Sequence, residues 1–221
     1  MSQPLHRFVY RSQSRPGQEA ATAAAWRARS DALGNLQADG RLLTASVFGW
    51  GQHFFVYYET TDATLTPDDL AGDTGDLLES WPGSTTSRNF VPMMDIFHCG
   101  EPRDTDYWQR KSPPKNVRAR LTRLQPEMVS SYIFYHYQMQ EEKPGSFDKY
   151  CLISIHENLL FFYQESPNVV ESPPRTGKLS TKNTPDDWHG TMFPHFLLWD
   201  DAPAGEEIWR GIELVLHIGN G

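Results

Sequence analysis

Two stretches of the chain, TASVFGWGQHFFVYYE at residues 44–59 and YCLISIHENLLFFYQE at residues 150–165, read as the same object. Each is a run of apolar, β-branched and aromatic residues interrupted by a short turn. The turn is Gly49-Trp50-Gly51 in the first and His156-Glu157-Asn158 in the second, and both runs finish on aromatic residues and a glutamate. A run of this composition folded about a central turn forms a β-hairpin.

Other pieces recur around the hairpins in the same order. A single strand is predicted before each, at 7–12 and at 132–140, and each is followed by a Pro-Gly step, Pro16-Gly17 and Pro144-Gly145. After each hairpin stands TPDD, with Thr66 or Thr184 as helix cap and proline in the first turn. A last strand then ends near a histidine, VPMMDIFHCG at His98 and IELVLHIGNG at His217. Five matches in register point to an internal repeat. In the first copy residues 17–39 form a helix, with Ala23, Trp26, Leu33 and Leu36 toward one face and Gly40 at its end. In the second copy that helix is reduced to a turn at 146–149.

The unit is therefore strand, helix, hairpin, helix, strand, the ferredoxin-like arrangement. The expected fold class is α+β: two ferredoxin-like units in tandem, whose sheets form a barrel-like core with helices outside. The expected division is 1–100 for the first unit, 101–128 for a linker or strap, and 129–221 for the second unit. Pro, Gly and Ser make 166–182 a long loop.

Composition narrows the function. The chain has 221 residues and a net charge of −8, which argues against nucleic acid as a partner. Residues 42–87 hold no lysine or arginine, whereas Arg103, Arg110, Lys111, Lys115, Arg118, Arg120 and Arg123 crowd the expected strap. No apolar run has the length of a membrane span, and none near the N-terminus suits a signal peptide, so the expected location is cytoplasmic. Cys99 and Cys151, the only two cysteines, have neither CxxC spacing nor a shared context. Seven tryptophans suit either a core or a pocket that stacks on a flat ligand.

With these elements placed, the chain resembles the dimeric α+β barrel superfamily, and within it the L-rhamnose mutarotase group. The likeness lies in 26–59, Trp81 and MMDIFHC of the first copy, and in LISIHENLLFFYQE, Trp188 and WRGIELVLHI of the second. It implies one chain supplying the barrel that two chains build in that family, a sugar-sized pocket, and acid–base ring opening without a metal or cofactor. The family's histidine and tyrosine on the first helix have no match in 17–39.

Alternation along the expected strand 132–140 puts Phe134, His136, Gln138 and Gln140 on one face. Glu213, Val215 and His217 share a face of the last strand. His136 and Glu213 are thus the candidate catalytic pair, a titratable couple of the kind proton transfer needs. Gln138, Trp81, Trp188, His189, His195 and His217 are the candidate substrate contacts. His189 and His195 lack the spacing of a stable metal site. The leading expectation is a cofactor-independent sugar mutarotase or isomerase, monomeric or homodimeric. The alternatives are a non-catalytic carbohydrate-binding protein and a small oxygenase or lyase of the same barrel superfamily.

Overall fold

A computed structural model describes residues 2–83, 85–145, 147–171 and 177–219. In chain order the strands and α-helices are β1 (His6–Gln13), α1 (Glu19–Ala28), α2 (Ser30–Ala38), β2 (Leu42–Trp50), β3 (His53–Thr60), α3 (Pro67–Ala71), β4 (Val91–Pro92), β5 (Met94–His98), α4 (Thr105–Trp108), β6 (Asn116–Leu124), α5 (Val129–Glu142), β7 (Leu152–His156), β8 (Leu159–Ser166), α6 (Trp188–Met192), β9 (Phe196–Leu197) and β10 (Arg210–Gly219). The chain is of the α+β class, with antiparallel sheets and helices. It divides into two compact units, unit 1 being Met1–Met93, Pro102–Pro114 and Ile212–Gly221, and unit 2 being Met94–Glu101 and Lys115–Gly211.

In unit 1 the strands run β4-β1-β3-β2-β10, all antiparallel, and β4-β1-β3-β2 is the ferredoxin-like order. The β2–β3 hairpin turns at Gly51, whose φ of 54° lies in the left-handed region that favours glycine. Period-two alternation sends Phe54, Val56 and Tyr58 to one face, where they pack with Ala45 and Val47 against Trp26 of α1 and Leu33 of α2. α3 starts as the sequence predicts. The Thr66 hydroxyl accepts from the Asp69 N–H, and the Asp69 carboxylate accepts from the Thr66 N–H, a reciprocal cap.

In unit 2, β6 pairs with β8, β8 with β7, and β7 with β5, while the short β9 pairs with Arg123 and Leu124 at the end of β6. The β7–β8 hairpin forms where expected, with Glu157 at φ 58° as the first turn residue. Tyr132 and Met139 of α5 pack on Ile153, Ile155 and Leu160 of the sheet.

Four expectations are corrected. Residues 132–140 are not a strand but lie within α5. The aromatic alternation at Ile133, Tyr135 and Tyr137 imitates period two, yet the buried Tyr132, His136 and Met139 repeat at helical spacing. Helix propensity differences among such residues are only some tenths of a kcal/mol, so burial of one stripe decides. Residues 101–128 are not a bare strap, because β6 lies there: Val117, Ala119 and Leu121 are buried and alternate with Arg118 and Arg120. The first helix of the second half is α5 and not a turn at 146–149; residues 147–149 are non-helical and Ser146 lies outside the described residues. Finally, the units do not follow the two halves of the sequence. β5 completes the sheet of unit 2 beside β7, and β10 completes that of unit 1 beside β2. Of the long loop at 166–182, residues 172–176 also lie outside the described ones.

Candidate functional site

Between α5 and the sheet of unit 2 lies a cavity of about 500 Å³. Its walls come from Phe97 on β5, Ile153 on β7, Phe162 on β8, Tyr132, His136 and Met139 on α5, and Trp188, Phe196 and Trp209 beyond them. Polar lining is sparse: Arg120, Gln164, Asn168, Asp148 and His189 besides His136. The Gln164 amide is already engaged, accepting from Arg118 at 2.6 and 3.2 Å and donating to Asn168 at 3.1 Å. Asp148 Oδ1 accepts from the Val169 N–H at 3.0 Å and the Tyr150 N–H at 3.3 Å.

His136 is held by its own helix. Its Nδ1–H donates to the Tyr132 carbonyl at 2.9 Å, one turn back, and its ring stacks on that of Tyr132 at 4.0 Å. Trp188 and Phe97 meet it edge-on at 4.9 and 5.6 Å. A carbonyl can only accept, so the proton sits on Nδ1 and the Nε2 lone pair is left available. No hydrogen bond to Nε2 occurs among the described residues. Burial pushes the pKa of His136 down to about 4, opposed by the Tyr132 carbonyl and reinforced by His195, so the imidazole is neutral at pH 7. Burial likewise raises the Tyr132 phenol, which stays protonated.

The other expected site residues fall in four places. Trp188 and His189 line the cavity with His136. His195 is behind it, buried, its Nε2 2.8 Å from the Ser131 hydroxyl and its ring 5.9 Å from that of Tyr132. Gln138 points elsewhere on α5, accepting from the Thr181 hydroxyl at 3.0 Å, and so anchors residues near 181 instead of lining the cavity. Glu213, His217 and Trp81 belong to unit 1. Glu213 is 65% exposed and paired with Arg27 of α1 at 2.6 Å. The expected pairing of His136 with Glu213 assumed strand alternation at His136, and that residue is on a helix of unit 2. His217 Nδ1 lies 2.9 Å from the Ser46 hydroxyl, its pKa lowered by burial and then by the charge of Arg110, against the opposing charge of Glu59. Trp81 bridges to Arg88 through its backbone, with the Arg11 guanidinium 5.3 Å over its ring.

Residue-type reasoning missed Arg120, Tyr132, Phe162 and Trp209 as lining. Arg120 carried a readable signal, since it alternates with Val117, Ala119 and Leu121; the surrounding positive charge obscured it. Among the described residues no group of three His, Cys, Asp or Glu could hold a metal ion, and no helix is long and apolar enough to cross a membrane. Both cysteines are buried.

No protein-family model and no curated protein matches the sequence. Two solved structures are similar to the chain. One, from Fusobacterium nucleatum subsp. nucleatum, is 10% identical at a TM-score of 0.46, with 100% of this chain and 96% of that one covered. The other, from Lactobacillus acidophilus, is 6% identical at 0.44, with 99% and 97% covered. Each is described as a "putative monooxygenase".

Proposed function

We propose that the chain is a small-molecule oxygenase in which His136 takes a proton from a flat, largely apolar substrate held in the cavity of unit 2. One observation carries this reading: a neutral imidazole with Nδ1 tied to a backbone carbonyl offers Nε2 inside a mostly aromatic cavity. The sugar reading fits less well. A sugar ring needs a partner for each buried hydroxyl, and the cavity's amides and its one carboxylate already have partners. Aromatic walls suit a ring-shaped, enolisable or phenolic substrate.

Taking a proton from an acid of pKa about 10 onto a base of pKa about 4 is uphill by roughly 8 kcal/mol for separated ions. Imidazolium and carbanion formed side by side in an apolar cavity attract each other, which offsets much of that cost. The carbanion's electron pair goes to dioxygen, the co-substrate, forming a C–O bond. The distal oxygen of the peroxide takes the proton back from His136. Loss of water, using the second hydrogen of the same carbon, leaves a carbonyl where a CH₂ stood; one oxygen atom is in the product and one in water.

The two ferredoxin-like copies of the sequence are part of this proposal. Each sheet has a hairpin flanked on one side by the strand before it and on the other by the last strand of the other copy, β1 and β10 around β2–β3, and β6 and β5 around β7–β8.

The test is oxygen uptake with a panel of hydroxynaphthalenes and anthrones. His136→Gln, which can still donate to the Tyr132 carbonyl, is expected to lower turnover ~10²–10⁴-fold. Anomer exchange of an aldose catalysed by the wild type, with no oxygen consumed on any phenol, would return the chain to the mutarotase reading.

A further inference from the structure

Arg120 sits mid-strand on β6, opposite Phe162 of β8. Both side chains line the cavity. Its neighbours of like charge are occupied: Arg118 donates to Gln164, and Arg123 stacks on Trp199 at 4.1 Å and donates to the Leu198 carbonyl at 3.3 Å. The Arg120 side chain, by contrast, has no hydrogen bond, ion pair or ring partner among the described residues. The lining carboxylate, Asp148, is turned to the backbone N–H groups of Tyr150 and Val169.

A half-buried guanidinium has lost part of its hydration while keeping five N–H donors in a planar fork. The group that matches this fork is a carboxylate, whose two coplanar oxygens accept two parallel charge-assisted bonds. Around it the cavity supplies aromatic rings and few other donors, so the rest of the ligand must be apolar and flat. We infer that Arg120 makes this cavity a site for aromatic carboxylates, with the guanidinium holding the carboxylate and Phe162, Trp188 and Trp209 enclosing the ring. The inference rests on reading the cavity as a substrate site, and it names the substrate class. It also gives His136 an oriented substrate, since a ligand fixed at one end by Arg120 presents its ring to the α5 wall.

The probes are 2-naphthoate and its neutral isostere 2-naphthamide, titrated into the full chain by calorimetry and by quenching of tryptophan emission. Wild type is expected to bind the naphthoate at least tenfold tighter than the amide. Arg120→Gln should weaken naphthoate about ten- to a hundredfold and leave the amide unchanged. Arg120→Lys, which keeps the charge and loses the fork, should fall between. Circular dichroism and the melting temperature of each variant establish that it is folded. Equal binding of naphthoate by wild type and a folded Arg120→Gln overturns the inference, as does absence of any preference for the acid in the wild type. Because binding is read without turnover, the two ideas fail separately. A naphthoate preference that depends on Arg120, in a protein that consumes no oxygen, keeps the carboxylate site and removes the oxygenase.

Discussion

Replacing Arg110 by methionine is expected to be among the most damaging single changes in unit 1, and the reason is Glu59. That carboxylate ends β3 fully buried, facing away from the helices. It accepts from Arg110 Nη2 at 2.9 Å, from Arg110 Nη1, and from the Tyr57 hydroxyl two residues earlier on the same strand. Burial alone would raise its pKa, but the charge and hydrogen bonds of Arg110, with the Tyr57 bond, outweigh burial and hold it below 4.5. Methionine keeps most of the volume and removes the cation, leaving an uncompensated buried charge. The loss should be about 3–5 kcal/mol, or about 6–20 °C in melting temperature for a chain of this size. The pH dependence carries the sharper test. In the wild type Glu59 has a depressed folded pKa, so its contribution is full above about 4.5 and is lost as pH falls through the folded value. In Arg110→Met burial wins and the folded pKa rises above 4.5. The variant is then relatively most stable with Glu59 protonated and loses stability as pH rises through the raised value. The gap between the two proteins should therefore narrow on going from pH 7 to pH 4.5, measured by urea unfolding followed through tryptophan emission. Glu59→Gln combined with Arg110→Met should recover a large part of the loss. A single-variant loss under about 1 kcal/mol, or a gap that does not narrow in acid, would refute the reasoning.

Two further outcomes follow from the site and its surroundings. Because the folded pKa of His136 is about 4, below the ordinary 6.5, the unfolded chain binds more protons between those values, and acidification across that window should remove up to about 3 kcal/mol of stability. His136→Gln should lack this slope in urea titrations at pH 7, 5.5 and 4.5, and an identical slope would show that another group causes it. At the end of α5 the Glu142 carboxylate accepts from the Thr184 hydroxyl and N–H, the Thr181 hydroxyl and the Asn183 N–H, bonds that draw its pKa down to about 2. Glu142→Ala should speed amide exchange at Asn183 and Thr184 while β6–β8 amides stay protected; unchanged exchange at both positions would mean that 181–184 is held by something else.

Several elements were legible because their causes are local. The β2–β3 and β7–β8 hairpins follow from dense β-branched and aromatic residues around a short turn, although Gly49, Trp50 and His156, read as turn residues, belong to the strands. The start of α3 follows from Thr66, Pro67 and Asp69, whose caps lie within one helical turn. The helical run through α1 and α2 follows from Trp26 and Leu33 at helical spacing. His136, Trp188 and His189, singled out because a histidine among aromatic residues is an unusual core composition whatever the element, line one cavity.

The tertiary structure decided the rest. VSSYIFYHYQMQEE satisfies both a period of two and a period of 3.6, and only the sheet of unit 2, which buries Tyr132, His136 and Met139 together, selects the helix. NVRARLTRL becomes a strand because β8 offers it a full antiparallel ladder, and no local signal announces a partner 46 residues away at Gln164. Which sheet receives β5 and which receives β10 is likewise a matter of long-range pairing, with β10 meeting β2 more than 160 residues earlier in the chain. That same pairing placed Glu213 beside Arg27 of unit 1. Local patterns specify which face of an element is apolar; which other element covers that face depends on free-energy differences summed over the whole fold, and the site is made where those coverings meet.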